Sequence, residues 1–322
     1  MTNRAVIAIG GNALILEGQQ GSIAEQYENA RETAHHIAHL VAQGWGVVVT
    51  HGNGPQVGFI LLRSELVPAD APVPRLSLEM SVADSQGGIG HILGQALLNE
   101  LAERGLPDRV VCVLTHVVVD EDDQAFRQPT KPIGPFYSRE DADDRAARNG
   151  WTMIEDSGRG YRRVVASPEP IRIVEIDQIR TLVDAGFVVI AVGGGGVAVI
   201  ETAPGQYRGA EAVIDKDRAS ALLAASLEVP LLILSTGVEQ VAVHFRQPDE
   251  RWLDRITVSE AKQYLEEGEF PKGSMGPKVE AAISFIAHGG QEALITTPPS
   301  LERAIAGTTG TRIVPDATPG RS

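Results

Sequence analysis

Three lysines of this chain lie in segments that could neutralise a phosphate or a carboxylate. The chain has 28 arginine and lysine residues, and only five of them are lysines. An ammonium group is a compact point charge that a planar guanidinium does not replace. Lys131 lies in the segment PTKPIGP, Lys216 lies between two aspartates, and Lys278 ends the segment GSMGPK. We interpret these three as candidate anion-binding residues, with the alternative that all five lysines are ordinary surface residues.

The tripeptide Asp215-Lys216-Asp217 carries both signs of charge in adjacent positions. Flanking carboxylates keep a lysine ionised and oriented, and carboxylate oxygens can also ligate Mg²⁺. Phosphoryl transfer asks the protein mainly for positioning and charge stabilisation, which such a cluster could supply. The same tripeptide can be the start of a helix with Asp215 as its N-cap, and the two interpretations are compatible.

Two glycine-rich turns could bind phosphate through their backbone. Phosphate is held by N–H groups that converge at a turn or a helix N-terminus, and glycine lets the backbone approach closely. The two turns are Gly10-Gly11-Asn12 and the four glycines at residues 193–196, with Gly194 and Gly195 at their centre. Either turn alone could be a structural connection, but the pair favours a phosphate site.

Several enzyme classes are excluded by motifs that the sequence lacks. It has no G-x-x-x-x-G-K-[ST] segment, no G-x-G-x-x-G after a strand and no protein-kinase catalytic loop. It has no H-E-x-x-H segment or Cys/His cluster, so no direct metal ligand is assigned. Among the histidines, His51 could line a site or bond to the backbone. A metal site is disfavoured for the three histidines of the first helix, because neighbouring helical side chains diverge: His35, His36 and His39. The remaining four are expected to be structural or exposed: His91, His116, His244 and His288.

The elements that must position these residues alternate between apolar strands and amphipathic helices. A helix is expected over residues 22–43, with Ser22 as N-cap and Glu25 three residues later. Strands are expected at residues 4–9, 46–50, 110–119, 188–192, 231–234, 241–245 and 293–296. Continuous apolar strands indicate a mostly parallel sheet covered on both faces, with ligands at the carboxyl ends of the strands. Residues 120–170 are rich in proline and charge, which predicts a small lobe outside the sheet, with a hairpin-like strand at residues 161–165.

Composition places the chain among globular enzymes. Its 322 residues are 43% hydrophobic and carry a net charge of −14, which disfavours binding to nucleic acid or anionic membranes. No secretory signal and no apolar run of about 20 residues are visible. The lone Cys112 lies in an apolar run, so we expect it to be a buried core residue. These features predict a cytoplasmic protein.

Eight segments together resemble the carbamate kinase family, in order and from about residue 5 to about residue 314. The inserted segment PTKPIGP is the most specific, because it separates these enzymes from other amino-acid kinases. The segments are IGGNA (9–13), THGNGPQVG (50–58), PTKPIGPF (129–136), DSGRGY (156–161), VASPEP (165–170), GGGG (193–196), AVIDKD (212–217) and GSMGPK (273–278).

The resemblance implies a three-layer α/β/α sandwich with a mainly parallel central sheet and a protruding lobe at about 120–170. It implies a homodimer of chains with an acceptor region at 1–208 and a nucleotide region at 209–322. The implied reaction, placed in arginine metabolism, is reversible phosphoryl transfer between ATP and carbamate with Mg²⁺ carried on the phosphates.

The resemblance also assigns roles to individual residues. Lys131 would reach in from the lobe, Lys216 and Lys278 would stabilise the transferring group, and Asp215 would orient the lysines. Gly52, Asn53 and Gly54 would hold the carbamate. The phosphates and the nucleotide would be bound by Gly10, Gly11, Asn12, Gly194, Gly195, Asp217 and Met275.

Four positions depart from the family pattern and bear on acceptor specificity and nucleotide affinity: Asp84, His91, Gln240 and Phe245. Two alternative functions remain open. One is another amino-acid kinase acting on a different small carboxylate, which the segment PTKPIGP disfavours. The other is a non-catalytic nucleotide-binding regulator, which the retained lysines and Asn12 disfavour.

Overall fold

The apolar segments form strands and the amphipathic segments form helices in the computed structural model, which describes residues 3–10, 14–16, 18–68, 70–156, 158–271 and 273–317. The strands are β1 (Arg4–Ile9), β2 (Gly46–His51), β3 (Val110–Cys112), β4 (His116–Val118), β5 (Lys131–Tyr137), β6 (Thr152–Glu155), β7 (Tyr161–Val165), β8 (Arg172–Ile173), β9 (Val188–Ile190), β10 (Val197–Ala203), β11 (Gln206–Gly209), β12 (Leu231–Ser235), β13 (Val241–Val243), β14 (Arg251–Leu253), β15 (Arg255–Thr257), β16 (Glu292–Thr296) and β17 (Thr311–Val314). The helices are α1 (Ile23–Ala42), α2 (Gly54–Glu65), α3 (Leu78–Glu103), α4 (Arg139–Asn149), α5 (Ile176–Asp184), α6 (Lys216–Ser226), α7 (Val258–Glu266), α8 (Met275–Ala287) and α9 (Leu301–Ile305).

An eight-stranded sheet forms the centre of the molecule, in the order β15-β17-β16-β12-β1-β2-β9-β3. Strand β1 pairs in parallel with β2 and with β12. The antiparallel pairing of β16 with β17 reverses the last two strands at that edge. The predicted α/β fold with a mainly parallel sheet is therefore confirmed.

Helices cover both faces of this sheet. Successive residues of a strand point to opposite sides, so the apolar strands present apolar side chains to both faces. Ile7 and Val49 belong to the core cluster on one face, together with residues of α1 and α3. Val6 and Val48 belong to the cluster on the other face, together with residues of α5, α6 and α8. The strands are buried on both sides, which explains their continuous apolar sequences.

The first helix begins as its sequence predicts. The backbone N–H of Ser22 donates to Glu25 Oε2 at 2.7 Å, and the Ser22 hydroxyl accepts from the backbone N–H of Glu25 at 3.3 Å. This reciprocal capping box satisfies two N–H groups that have no partner inside the helix. The predicted helix over 22–43 is confirmed as Ile23–Ala42.

A small antiparallel sheet, β5-β7-β6, forms the lobe outside the central sheet together with α4. Its strand β5 packs directly on α2, where Gly58 meets Gly134. A Cβ added at Gly58 would lie 1.9 Å from the Cα of Gly134, so this contact requires glycine. The predicted excursion within residues 120–170 is confirmed, and its β7 covers the segment predicted to be hairpin-like.

One prediction about local structure was wrong, and two predicted strands differ in part from the observed ones. Cys112 is exposed, because β3 is the edge strand of the central sheet. The strand expected at 241–245 forms as β13, but it pairs with β14 in a separate small sheet. The apolar segment 110–119 divides into β3 and β4, which belong to different sheets. Within the described ranges, no helix is long and apolar enough to cross a membrane.

Candidate active site

A cleft of about 590 Å³ opens at the carboxyl ends of the central strands. Gly10 follows β1, Gly52 follows β2, Ser235 ends β12 and Thr297 follows β16, and all four line the cleft. Loops at the ends of parallel strands meet at one edge of a sheet, and this edge is where ligands bind in such folds.

Most of the residues singled out in the sequence lie together in this cleft. Those that line it are Gly10, Gly52, Asn53, Gly54, Lys131, Gly194, Asp215, Lys216, Asp217 and Lys278. Gly195 and Met275 are not among the lining residues. Gly11 and Asn12 lie outside the described residues, so their predicted roles stay predictions.

Asp215 links the lobe to the start of α6. Its Oδ1 accepts from the backbone N–H groups of Asp217 at 2.9 Å and Arg218 at 3.3 Å, which makes it the N-cap of α6. Its Oδ2 accepts from Lys131 Nζ at 2.5 Å. Burial acts to raise the pKa of Asp215, but the charge and the hydrogen bond of Lys131 and the charge of Lys216 together hold this pKa below its ordinary value. The carboxylate therefore caps a helix and holds a lysine at once.

Asp217 holds the other two lysines. Lys278 Nζ donates to Asp217 Oδ2 at 2.8 Å, and Lys216 Nζ lies 2.9 Å from Asp217 Oδ1. All three side chains are buried. Burial acts to raise the pKa of Asp217, yet the two ammonium groups hold it far below its usual range. The cluster is thus a carboxylate between two cations at the floor of the cleft.

Lys216 has donor capacity that the protein does not use. Burial and the neighbouring charge of Lys278 lower its pKa to about 8 against the attraction of Asp217. Although Asp217 Oδ1 is close, the geometry is not that of a hydrogen bond, and in the described part of the chain Nζ has no hydrogen-bond partner. An ammonium has three N–H groups, so Lys216 keeps donors free beside its ion pair with Asp217 and is suited to an anionic ligand.

The glycines at 193–196 bring the backbone against Asn53 in the wall of the cleft. Gly194 has a φ of 65°, and a Cβ there would lie 2.1 Å from Asn53 Nδ2. Asn53 in turn donates to Ser85 Oγ at 2.8 Å. Only glycine fits this approach, which explains why the turn has no side chains. Gly195 meets the backbone of Ile214 instead, consistent with a packing role.

His51 bonds to the backbone and does not line the cleft. Its Nδ1 lies 3.1 Å from the carbonyl oxygen of Gly52. Since a carbonyl only accepts, Nδ1 carries the proton. Burial, aided by the charge of Lys216, lowers the pKa of His51 to about 4. Of the two interpretations left open, the structure favours backbone bonding by a neutral imidazole.

Three features in and beside the cleft were missed in the sequence. Ser235 Oγ at the end of β12, which lines the cleft, and Thr296 Oγ1 at the end of the neighbouring β16 are buried with no hydrogen-bond partner among the described residues. Their position as the last residues of apolar strands was a usable signal. Arg162 of β7 also lines the cleft. The only sequence feature that pointed to Arg162 was its position in the lobe, directly after the segment DSGRGY.

The histidines of α1 make ion-pair contacts with other helices. His35 Nδ1 lies 3.0 Å from Glu100 Oε2 of α3, and His36 Nδ1 lies 3.5 Å from Glu302 Oε1 of α9. Within the ranges that the structure describes, no three His, Cys, Asp or Glu side chains are grouped so that they could hold a metal ion.

The four departures from the family pattern are all away from the lining of the cleft. Asp84 and His91 are exposed on α3. Gln240 donates to Asp254 Oδ1 at 2.6 Å, and Phe245 packs edge-on against Trp252 with ring centroids 6.2 Å apart.

Comparison with known proteins finds similarity to the amino acid kinase family and, within it, to carbamate kinases. The model of the "Amino acid kinase family" matches residues 3–297. The chain is 48% identical over 312 residues to a carbamate kinase of Thermococcus kodakarensis, covering 97% of this chain and 99% of that one. It is 46% identical over 315 residues to the carbamate kinase-like protein YahI of Escherichia coli, covering 98% and 99%. Among solved structures, a carbamate kinase from Giardia lamblia bound to citric acid superposes with a TM-score of 0.92 at 39% identity, covering 98% and 99% of the two chains.

Proposed function

We propose that this chain transfers a phosphoryl group reversibly between ATP and carbamate. The chain belongs to the amino acid kinase family, and within it to the carbamate kinases. The observation that carries this proposal is the buried cluster of Lys216, Asp217 and Lys278, which faces the cleft with unused donor capacity on Lys216. In the reverse direction the enzyme would make ATP from ADP and carbamoyl phosphate.

The chemistry follows from the charges of the cleft. A carbamate oxygen attacks the γ-phosphorus, the new P–O bond forms, and the bond to the β-phosphate oxygen breaks with its electron pair leaving on ADP. The attacking oxygen is already anionic, so the step needs no general base, in agreement with the position of His51 outside the cleft lining. What the step needs is stabilisation of the negative charge on the transferring group.

The lysines would supply this stabilisation from fixed positions. Lys216 and Lys278 are oriented by Asp217, and Lys131 by Asp215. Because both carboxylates are already engaged by lysines, we assign Mg²⁺ to the phosphate oxygens of the nucleotide. When bound there, Mg²⁺ would neutralise part of the phosphate charge.

The remaining roles divide the cleft into two halves. We assign Gly52, Asn53 and Gly54 to the acceptor, and to the phosphates and nucleotide Gly10, Gly11, Asn12, Gly194, Gly195, Asp217 and Met275. The unpartnered hydroxyl of Ser235, which lines the cleft, supports a polar ligand on the nucleotide side. The acceptor region would then be 1–208 and the nucleotide region 209–322. A homodimer, a cytoplasmic location and a place in arginine metabolism belong to the same proposal and rest on family membership.

A second candidate is phosphoryl transfer to another small carboxylate. It is favoured by the 46% identity to a relative named only carbamate kinase-like. The same lysine cluster would serve either acceptor, so the acceptor identity is decided by assay.

The test is ATP formation by the purified protein from ADP, Mg²⁺ and carbamoyl phosphate, measured with a coupled enzyme assay. Acetyl phosphate and other small acyl phosphates are tested under the same conditions. We expect the highest kcat/KM with carbamoyl phosphate. Turnover of another acyl phosphate without turnover of carbamoyl phosphate would establish the second candidate, and no turnover of any would leave a nucleotide-binding protein.

A further inference from the structure

The lobe carries a second cation into the cleft besides Lys131. Arg162 lies on β7, and its side chain lines the same cleft as Lys131 and Pro132. The side chain is only 16% exposed, and burial lowers its pKa despite the nearby carboxylate of Asp156. A cation taken this far out of water must gain compensating contacts.

Two of the three nitrogens of the Arg162 guanidinium are already engaged by the lobe. Nε donates to the carbonyl oxygen of Gly134 at 3.1 Å, and Nη1 donates to Asp156 Oδ2 at 3.2 Å. The ring of Phe136 lies beneath it, 5.2 Å from the guanidinium carbon to the ring centroid. Among the described residues, Nη2 donates to no acceptor. A planar donor that is fixed in this way loses little entropy when it binds an anion.

Arg162 lies on the side of the cleft that we assign to the acceptor. It bonds to Gly134, the residue of β5 that packs on Gly58 of α2. Helix α2 begins at Gly54, directly after the turn that we assign to the acceptor. The nucleotide half, by contrast, is bounded by the ends of β12 and β16.

We propose that Arg162 binds the small anionic substrate, and that its unused Nη2 edge donates to an oxygen of the acyl phosphate while Lys131 lies beside it. This inference rests on the proposed function and extends it to a specificity-determining residue. Arginine forms charge-assisted bonds with carboxylate and phosphate oxygens in a fixed plane. The nucleotide is not expected to touch this residue.

Arg159 provides a matched control on the same ring and the same carboxylate. Its guanidinium carbon lies 4.7 Å from the centroid of Phe136, and its Nη2 lies 3.6 Å from Asp156 Oδ1. Its side chain is 63% exposed, and it is not among the residues that line the cleft. Substitution of Arg159 therefore removes a cation from Phe136 and Asp156 without changing the lining of the cleft.

The kinetic test compares Arg162→Met, Arg162→Lys and Arg159→Met. We expect Arg162→Met to raise the KM for carbamoyl phosphate on the order of 10- to 100-fold, the loss of one hydrogen bond to a charged group. The KM for ADP should change less than about twofold, as a nucleotide that does not contact Arg162 requires. Arg162→Lys should recover only part of the loss, because an ammonium lacks the planar fork. Arg159→Met should behave as wild type.

A binding measurement separates this inference from the proposed function. Phosphonoacetamide has the shape of carbamoyl phosphate with a methylene in place of the bridging oxygen, so it binds without transferring phosphate. Calorimetry should show about tenfold or greater weakening for Arg162→Met and no change for Arg159→Met. Wild-type affinity in Arg162→Met, or equal rises of the KM values for ADP and carbamoyl phosphate, would overturn the inference.

Two further outcomes are decisive in the same experiment. If Arg162→Met does not fold, Arg162→Lys replaces it, because lysine keeps the charge and the aliphatic stem over Phe136. A rise of its KM for carbamoyl phosphate without a rise of its KM for ADP would then support the inference, and equal rises would overturn it. If the wild type fails to turn over carbamoyl phosphate, the proposed function fails on its own. The inference about Arg162 is then tested by calorimetry with inorganic phosphate, where unchanged affinity in the variant overturns it.

Discussion

At the scale of single residues, the cleft concentrates charge that a stability argument alone does not explain. Asp217 is buried between Lys216 and Lys278. Removing such ions from water costs about as much as their mutual attraction returns. A buried cluster with shifted pKa values in a cleft is typical of a catalytic site.

The first prediction concerns Lys216→Ala. Removing one preorganised donor to the transferring group should lower kcat by a factor on the order of 10²–10³. Lys262→Ala is the control, since Lys262 is exposed on α7 and should leave kcat unchanged. Steady-state kinetics with ADP and carbamoyl phosphate measure both, and near wild-type activity in Lys216→Ala would contradict the assigned role.

The same lysine should give the wild type a basic limb in its pH profile. Because the pKa of Lys216 is lowered to about 8, its positive charge is lost as the pH rises through that value. The kcat/KM for ADP, which reports the free enzyme, should fall above about pH 8. The free energy of unfolding should instead rise as the pH increases from about 8 to the ordinary lysine pKa of 10.5. In this range the unfolded chain keeps the lysine proton that the folded chain has lost.

At the scale of elements, the start of α6 and the joint between α2 and β5 position the cations. Asp215 caps α6, so the lysine and the aspartate that follow it lie in the first helical turn. Strand β5 begins with Lys131 and is fixed to α2 by the contact of Gly58 with Gly134. The lobe thus places its lysine through a backbone contact that tolerates no side chain.

The second prediction is that Gly58→Ala separates the lobe from α2. The added Cβ would overlap the backbone at Gly134, so we expect the free energy of unfolding to fall by about 3 kcal/mol. Activity should fall as well, because Lys131 shifts. Urea unfolding and steady-state kinetics measure the two effects.

Gly94→Ala is the control for this substitution. It also lies within a helix, but its Cβ would come no closer than 3.8 Å to Ile190. Alanine has the higher helix propensity, so stability should rise by up to about 1 kcal/mol. If Gly58→Ala behaved like Gly94→Ala, the joint would not be rigid.

At the scale of the whole molecule, the surface is acidic and the lysine cluster is local. The net charge of −14 repels an anionic substrate at long range, and the cleft overcomes it with buried ammonium groups at short range. The central sheet also has an unprotected edge. Strand β3 lies there beside β9, with Cys112 exposed and Leu114 47% exposed. An edge of this kind can pair with another chain.

The third prediction is that this edge lies within the interface of the proposed homodimer. Sedimentation equilibrium should give twice the chain mass of 34.3 kDa. Leu114→Asp should shift the protein toward the monomer by burying a charge in the interface. Leu66→Asp is the control, because Leu66 is 73% exposed at the end of α2. A monomeric wild type, or equal dissociation by both variants, would refute the prediction.

The sequence by itself determined the elements and the chemical type of the site. Apolar runs specified the buried strands of the parallel sheet, and Ser22 with Glu25 specified the start of α1, because both signals are local. The scarcity of lysine singled out Lys131, Lys216 and Lys278, which do meet in one cleft.

Only the tertiary structure decided which residues face that cleft and which are covered. Cys112 lies in an apolar segment, as a core residue would, yet its strand is at the edge of the sheet. The order of strands in a sheet cannot be inferred from any one segment. Arg162 resembles the other arginines of the lobe in sequence, and only the packing of the lobe on α2 brings it to the cleft. Contacts between residues distant in sequence depend on the register and order of strands, which local patterns do not specify.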